Sequence, residues 1–362
     1  MKKIRVAFFG LAHPHVMALY RTVANYPDDF EIIGFAEVPM PSPEPDHYEA
    51  RRAGMRDKRG VREFADWHDL IAEKPDLAIV NSDNGSREAG CCTLLASGIH
   101  VLAEKPMAMT YEAALHMCRV AKEHGIHMLT NWPIAWFPAF RMAKKMLNEG
   151  KIGKLLRVTY RSPATWGPFS YSPDGELPPD EVLARSWWYK SENGGGSILD
   201  YACYGTVLST WMFERQAERV SGIAKNFGVT FADVEDYSAM MLDFGDGVGL
   251  LEGSWSTYNP GEIPTGPVLY GTDGVIVCDR HTSTVKYYKG RSHKPVPPTE
   301  VVDAGLDRQD ILLGAHLAQV LRGETEPDEM LSPRLNLAVV AALEAGAISA
   351  RTGVTVETKR MN

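Results

Sequence analysis

Over the first third of the chain, short apolar runs alternate with stretches whose apolar residues recur at helical spacing. Ile4–Phe9 is a largely apolar run closed by Gly10 and predicts a first strand. Residues 14–26 have helical spacing, with Pro14 suited to a first helical turn. Phe30–Ala36 predicts a second strand ending at Glu37, and residues 77–81 a third. Residues 88–96 read as a helix ended by Gly98, 99–103 as a strand, 111–124 as a helix stopped by Gly125, and 126–130 as a further strand. Strands separated by helices of roughly 10–15 residues are the pattern of βαβ units on a parallel sheet. Residues 1–130 are therefore expected to form a doubly wound α/β domain that binds a nucleotide. The Pro-rich stretch 39–45 breaks this rhythm and reads as an extended loop.

From residue 131 onward the texture changes. Residues 155–161 predict a strand, 162–179 a loop rich in Pro, Gly and aromatics, and 197–213 a helix. Strand-length runs follow at 220–227, 237–244, 248–255, 268–270, 275–278 and 284–288. Turn signals such as Gly245-Asp246-Gly247 and Asp273-Gly274 separate them and favour antiparallel pairing. Helices near 310–321 and 334–351 complete the pattern. Residues 131–362 are expected to form an α+β domain on a large, mostly antiparallel open sheet.

Composition agrees with two domains, since 362 residues exceed the ~100–200 typical of one. The net charge is −8 and no run is rich in Lys and Arg, which argues against nucleic acid and anionic membranes as partners. The five cysteines show neither CxxC nor metal-ligand spacing, so free thiols in a reducing compartment are expected. The apolar start is stopped by His13-Pro14-His15 without a cleavage site, unlike a signal peptide. No run approaches ~18 uninterrupted apolar residues. The expected location is cytoplasmic.

The turn after the first strand, Gly10-Leu11-Ala12-His13-Pro14-His15, is a degenerate GxGxxG. That fingerprint lets the backbone approach a pyrophosphate at a helix N-terminus. Gly10 fits and Ala12 is small, whereas His15 is a poor third glycine. An ordinary strand-to-helix turn would look much the same. Glu37 ends the second strand, where a carboxylate accepts from ribose hydroxyls and repels a 2′-phosphate, favouring NAD over NADP. Asp83 and Asn84 follow the third predicted strand, at the edge where ligands bind, though turn residues there are common. His13-x-His15 could also open a metal site, but later histidines do not recur as one requires, so no metal is expected.

Two motifs carry the chemistry. Lys105 precedes Pro106, which pushes it into extended geometry at a strand end beside Glu104. A charged pair there is costly unless it is used. Further on, Gly194-Gly195-Gly196 precedes a predicted helix bearing Asp200 and Tyr204 at i, i+4, neighbours on one helical face.

Glu104-Lys105-Pro106, the glycine-led Asp200/Tyr204 helix and the strand-rich second half together resemble the Gfo/Idh/MocA oxidoreductase family. The resemblance covers nearly the whole chain. It implies a Rossmann domain carrying NAD or NADP, sugar or cyclitol substrates, and a homodimer or homotetramer through the C-terminal sheet. It also implies that Lys105 is the family's catalytic lysine, before a Pro106 that is often cis there, and that Asp200 is its aspartate. Most members carry histidine where this chain has Tyr204; the tyrosine form occurs in the branch resembling glucose–fructose oxidoreductase and dihydrodiol dehydrogenase. Asn131 and Trp132 match the segment beside the nicotinamide.

The resulting expectation is a secondary-alcohol oxidation at Lys105, Asp200 and Tyr204. The cofactor would be held by Gly10, Ala12, His13, Glu37, Asp83, Glu104, Lys105, Asn131 and Trp132. A carbohydrate or polyol would meet Trp166, Trp187, Lys105, Asp200 and Tyr204, with residues 162–179 as a lid. Either Tyr204 or Lys105 could move the proton. Two rival readings remain: a redox-neutral glycosidase, lyase or epimerase with tightly held NAD, and a binding protein that has kept only the fold.

Overall fold

The computed structural model describes residues 2–41, 47–163, 179–257, 264, 266–290, 294–305 and 309–360. Its first elements are β1 (Ile4–Phe9), α1 (Val16–Ala24), β2 (Phe30–Ala36), α2 (His47–Arg59), β3 (Glu63–Phe64), α3 (Trp67–Ala72), β4 (Leu77–Val80), α4 (Arg87–Ala96), β5 (His100–Glu104), α5 (Tyr111–Glu123) and β6 (Met128–Asn131). Then come α6 (Pro138–Asn148), β7 (Leu155–Pro163), α7 (Asp180–Leu183), α8 (Cys203–Phe213), β8 (Arg219–Lys225), β9 (Tyr237–Asp243) and β10 (Val248–Ser254). The chain continues through β11 (Val268–Gly271), β12 (Gly274–Asp279), β13 (Thr284–Lys289), β14 (Glu300–Asp303), α9 (Gln309–Leu321), α10 (Pro333–Thr352) and β15 (Val356–Glu357).

Two compact units result. One comprises Met1–Trp132, Asp180–Gly195 and Gln309–Val340; the other comprises Pro133–Pro179, Gly196–Arg308 and Ala341–Asn362. In the first, six parallel strands lie in the order β3-β2-β1-β4-β5-β6. The central strands are buried on both faces: all four residues of β4 and all but Arg5 of β1 are buried. This is why they read as continuous apolar runs rather than alternations. Helix α9 lies close against α1, where Gly314 lets the Thr22 carbonyl approach to within 2.4 Å of where a Cβ would stand.

The second unit holds a nine-stranded sheet in the order β14-β13-β12-β11-β7-β10-β9-β8-β15. Among the described residues, only the β7–β10 pair of this sheet is parallel; the rest are antiparallel. In β9, Ser238, Met240 and Leu242 are buried while Tyr237, Ala239, Met241 and Asp243 point the other way, the alternation of a strand with one covered face. Helix α8 lies on β7 and β10, where Gly205 faces Leu251 and Tyr160.

Helices α2, α3, α6 and α7 and strands β3, β14 and β15 fall outside the periodic reading of the sequence. Helix α2 carries charge all round and is fastened by Arg52 and Arg56 to Glu63 of β3. Strands β3 and β15 are two residues long, too short for a periodic signal. Helix α10 is long and apolar enough to cross a membrane, but 67% of its apolar window is buried inside the fold, as in a core helix.

One structural correction bears on the site. The helix expected from residue 197 does not open as α. Ile198–Ala202 winds as a π-turn before α8 begins. The backbone there lies directly on β10: a Cβ on Gly253 would stand 2.4 Å from the Ala202 nitrogen. Gly253→Ala should therefore destabilise the protein by about 1–3 kcal/mol. Gly54→Ala should stabilise it by about 0.5–1 kcal/mol, because the new methyl meets only the Arg59 guanidinium at an ordinary 3.7 Å inside α2. Denaturant unfolding of the two variants against wild type checks both signs.

Candidate active site

In the first unit, β1 ends in Gly10 at φ +77°, where a Cβ would lie 2.9 Å from the Ser82 nitrogen. Only glycine meets both conditions. The turn after it is held from two sides. The Arg51 guanidinium bonds the Leu11 carbonyl at 2.8 Å and also the Ala12 carbonyl, which accepts as well from Trp187 Nε1 at 3.3 Å. The Leu11 N–H donates to Glu37 Oε2 at 3.3 Å. Burial pushes the Glu37 carboxyl up to about 7, against the pull of that bond and of the Arg52 and Arg51 charges. His13 Nδ1 accepts from the His15 N–H at 3.2 Å, so the proton of its neutral ring sits on Nε2. Burial, then the charges of His15, Lys105, Arg87 and Arg51, hold the His13 pKa well below its ordinary value.

Open α/β sheets bind ligands at the carboxyl ends of their strands. Along that edge, Glu37 Oε1, His13 Nε2, both amide atoms of Asn81, Thr130 Oγ1 and Asn131 Oδ1 are buried without a hydrogen-bond partner. Each unmet group costs ~1–3 kcal/mol. The edge is therefore built for a polar ligand with both donors and acceptors. The residues present fit a dinucleotide: Glu37 would offer an acceptor to ribose hydroxyls, His13 a donor to an anionic or carbonyl oxygen, and Gly10 a turn with no side chain.

At the end of β5, Glu104 and Lys105 are 0% and 2% exposed. Glu104 Oε1 accepts from Asn131 Nδ2 at 2.5 Å, and Oε2 from His15 Nδ1 at 3.0 Å and the Lys105 N–H at 3.3 Å. Burial alone would raise the Glu104 pKa, but His15, the Asn131 bond and the Lys105 charge overcome it and hold the carboxyl below its usual range. The Lys105–Pro106 peptide is cis, as the resemblance implied. Arg87, 0% exposed, straps the ends of β4 and β5 together. Its guanidinium bonds the Pro106 carbonyl at 2.5 Å, the Ser82 carbonyl at 2.8 Å and Asn84 Oδ1 at 2.6 Å.

Other expected residues have structural duties here. Asp83 Oδ1 accepts from the Ser86 N–H at 3.0 Å and the Ser86 hydroxyl, while its Oδ2 accepts from Asn193 Nδ2. Trp132 donates to Asn336 Oδ1 at 2.8 Å. Trp187 is 1% exposed and stacks on Trp188 at 3.9 Å, beneath the loop it bonds. Gly194 and Gly195 permit close approach to Asn84 and to the Trp188 carbonyl. Trp166 and the expected lid lie outside the described residues, apart from its ends.

In the second unit, Glu235 seats the π-turn. Its backbone carbonyl accepts from the Ser197 N–H at 3.0 Å and its Oε1 from the Ile198 N–H at 2.8 Å. Burial raises its pKa. Asp200 is 7% exposed and its Oδ2 accepts from Trp255 Nε1 at 3.0 Å. Tyr204 is half-buried, with its ring edge-on to Tyr201 at 6.4 Å. The i, i+4 geometry of an α-helix does not hold across the π-turn, and Trp255 is one side chain that orients Asp200. π-Turns inside helices recur at functional sites.

Arg51, Arg87, Asn81, Thr130, Glu235 and Trp255 were not singled out in the sequence. Arg87 left one legible sign: a cation in the first turn of a helix opposes the helix dipole.

Residues 13–131 match the family model described as an oxidoreductase family NAD-binding Rossmann fold, and residues 140–277 that of the GFO/IDH/MocA C-terminal domain. The levoglucosan dehydrogenase of Pseudarthrobacter phenanthrenivorans is 28% identical over 255 residues, 63% of this chain and 60% of that protein. The 2,7-anhydro-N-acetylneuraminate hydratase of Mediterraneibacter gnavus is 32% identical over 211 residues, 57% of this chain and 52% of that protein. The chain thus spans between half and two-thirds of these two relatives. The WlbA dehydrogenase of Bordetella pertussis, solved with NADH and UDP-GlcNAcA, superposes with a TM-score of 0.79 at 21% identity over 99% of each chain, a likeness of fold.

Ionised Glu37 accepts better from a ribose and repels a 2′-phosphate, whereas its protonated form does neither well. Arg51, Arg52 and Glu63 are the charges that act on it. Preference for NAD+ over NADP+ should therefore grow as pH rises through about 7. Glu37→Gln should flatten that dependence and narrow the preference. Fluorescence titrations of both nucleotides across this range decide it.

Proposed function

Since the chain belongs to the Gfo/Idh/MocA oxidoreductase family and carries its NAD-binding Rossmann domain, we propose that it oxidises a secondary hydroxyl of a sugar, cyclitol or related polyol, with NAD rather than NADP as cofactor. The row of unpartnered polar atoms along the carboxyl edge, ending beside Lys105, is the observation that carries this reading. When bound, NAD supplies the hydride acceptor. The chain's own residues handle the proton and the orientation.

In this reading Lys105, Asp200 and Tyr204 share one reacting centre. Tyr204 takes the hydroxyl proton as the carbon loses its hydride and becomes a ketone. A free phenol has a pKa near ~10, so a nearby ammonium is needed to ease its ionisation. Lys105 fills that role, with Glu104 as its counter-charge. Asp200, oriented by Trp255, receives a second substrate hydroxyl. The similarity to a hydratase supports a second reading, in which NAD stays bound and the substrate is oxidised only transiently. Net NADH formation with a polyol supports the first reading. Cofactor released only on denaturation, without net NADH, supports the second.

The same proposal includes a homodimer or homotetramer through the open face of the nine-stranded sheet. Opposite α8, the register aligns Ser221, Met241, Leu250, Thr159 and Val268 in one row. Ile223 and Met241 are 58% and 45% exposed beside a hollow of about 760 Å³, which the Arg161–Glu252 ion pair helps to line. A second copy of the same apolar row is its natural cover.

Tyr204→Phe should lower kcat by about 10²–10⁴-fold with little change in KM if the phenol moves the proton. Lys105→Met should lower kcat and move the ascending limb of its pH profile, where the Tyr204 phenol ionises, to higher pH. A mild Tyr204→Phe defect beside a severe Lys105→Met defect would reassign the proton to Lys105. Met241→Asp should reduce the assembly to monomers in light-scattering chromatography; an unchanged mass would place the interface elsewhere.

A further inference from the structure

His15 stands where a dinucleotide fingerprint has its third glycine, the residue that allows close helix packing. It is the N-cap of α1, with φ −62° and ψ −13°, and its side chain makes no capping bond. The imidazole turns instead to the end of β5, placing Nδ1 3.0 Å from Glu104 Oε2. The His13 ring, tilted 4.1 Å away, backs it, and Trp188 in turn backs His13 at 5.0 Å. Without His15, Oε2 of a fully buried carboxylate would keep only the longer bond from the Lys105 N–H.

We propose that His15 is a positioning residue for Lys105, acting through Glu104. Its Nδ1–H holds the Glu104 carboxylate ionised and turned so that it serves as the counter-charge of Lys105. This rests on the reading of Lys105 as part of the reacting centre. The charged and titratable groups that face the pair are Lys105, His13 and Arg87. Ligand atoms of His13, His15 and Glu104 lie within 4.8 Å of one another. Yet His13 Nδ1 accepts from the His15 N–H, and both Glu104 oxygens accept from donors within the chain. The cluster therefore closes on itself without a cation.

The test uses the full chain with H15G, which restores the usual residue, and H15N, whose Nδ2 stands where Nδ1 stood. H15G should lose roughly tenfold to a hundredfold in kcat, the range for a hydrogen bond to a charged group. Its NAD+ affinity should hold while the acid limb of kcat/KM moves toward neutral pH. H15N should recover most of that loss. A readout independent of turnover is the Glu104 carboxyl itself, followed by infrared difference titration with E104Q identifying its band. Its midpoint should rise in H15G and stay near wild type in H15N. An unshifted midpoint in H15G, an H15N variant as impaired as H15G, or NAD+ affinity falling in step with kcat would overturn the proposal. So would stoichiometric Co²⁺ binding abolished by H15N. If wild type forms no NADH with any polyol, the dehydrogenase reading falls, and the infrared titration still decides the link between His15 and Glu104.

Discussion

Three buried charges at the carboxyl ends of β4 and β5 set the constraint on which the N-terminal unit is organised. Glu104, Lys105 and Arg87 are each at most 2% exposed. An ionised group out of water is tolerated only when it is paired and hydrogen-bonded. Glu104 meets the condition with three donors, from Asn131, His15 and the Lys105 backbone. Arg87 meets it with carbonyls and an amide, which ties the segment after β4 to Pro106 after β5. The strand ends are thereby fixed by the same bonds that keep the charges soluble inside the protein, so a rigid nucleotide edge and a placed lysine arise together.

In the C-terminal unit an analogous economy serves Asp200. A π-turn, seated by Glu235 and pressed onto β10 where Gly253 leaves room, presents the carboxylate to the Trp255 indole. The backbone irregularity and the aspartate's partner are one arrangement: an α-helical opening would carry Asp200 elsewhere on the helix. Glycine at 253 and 196 is required by close approach, to the Ala202 backbone and the Glu235 carboxylate respectively.

Much of the fold was legible because burial on both faces or on one writes different patterns. The strands β1, β4 and β5 appear as largely apolar runs, β9 as an alternation, and the hairpin turns as Gly-Asp-Gly and Asp-Gly. Helix α2 was not legible, since its sequence is dominated by charged residues, among them Arg52 and Arg56 that meet Glu63, and shows no apolar stripe. Lys105, Glu104, Asp200 and Tyr204 were visible as charges and a phenol beside proline or glycine. Their partnerships were not: Asn131 was read as a cofactor contact, Arg87 showed only as a cation opposing a helix dipole, and Trp255 gave no sign of what lies opposite.

The sequence by itself determined the order of elements, the membership of the family through Glu104-Lys105-Pro106 and the glycine-led Asp200/Tyr204 segment, and the degenerate nucleotide turn. These are local properties: spacing, turn chemistry and backbone allowance act within a few residues. Tertiary structure alone decided that His15 meets Glu104 across 89 positions, that Trp255 orients Asp200 across 55, and that Asp83 and Trp187 serve as internal supports. Those outcomes follow from which strand ends come side by side, and from the demand that each buried donor and acceptor find a partner there, a condition no local pattern records.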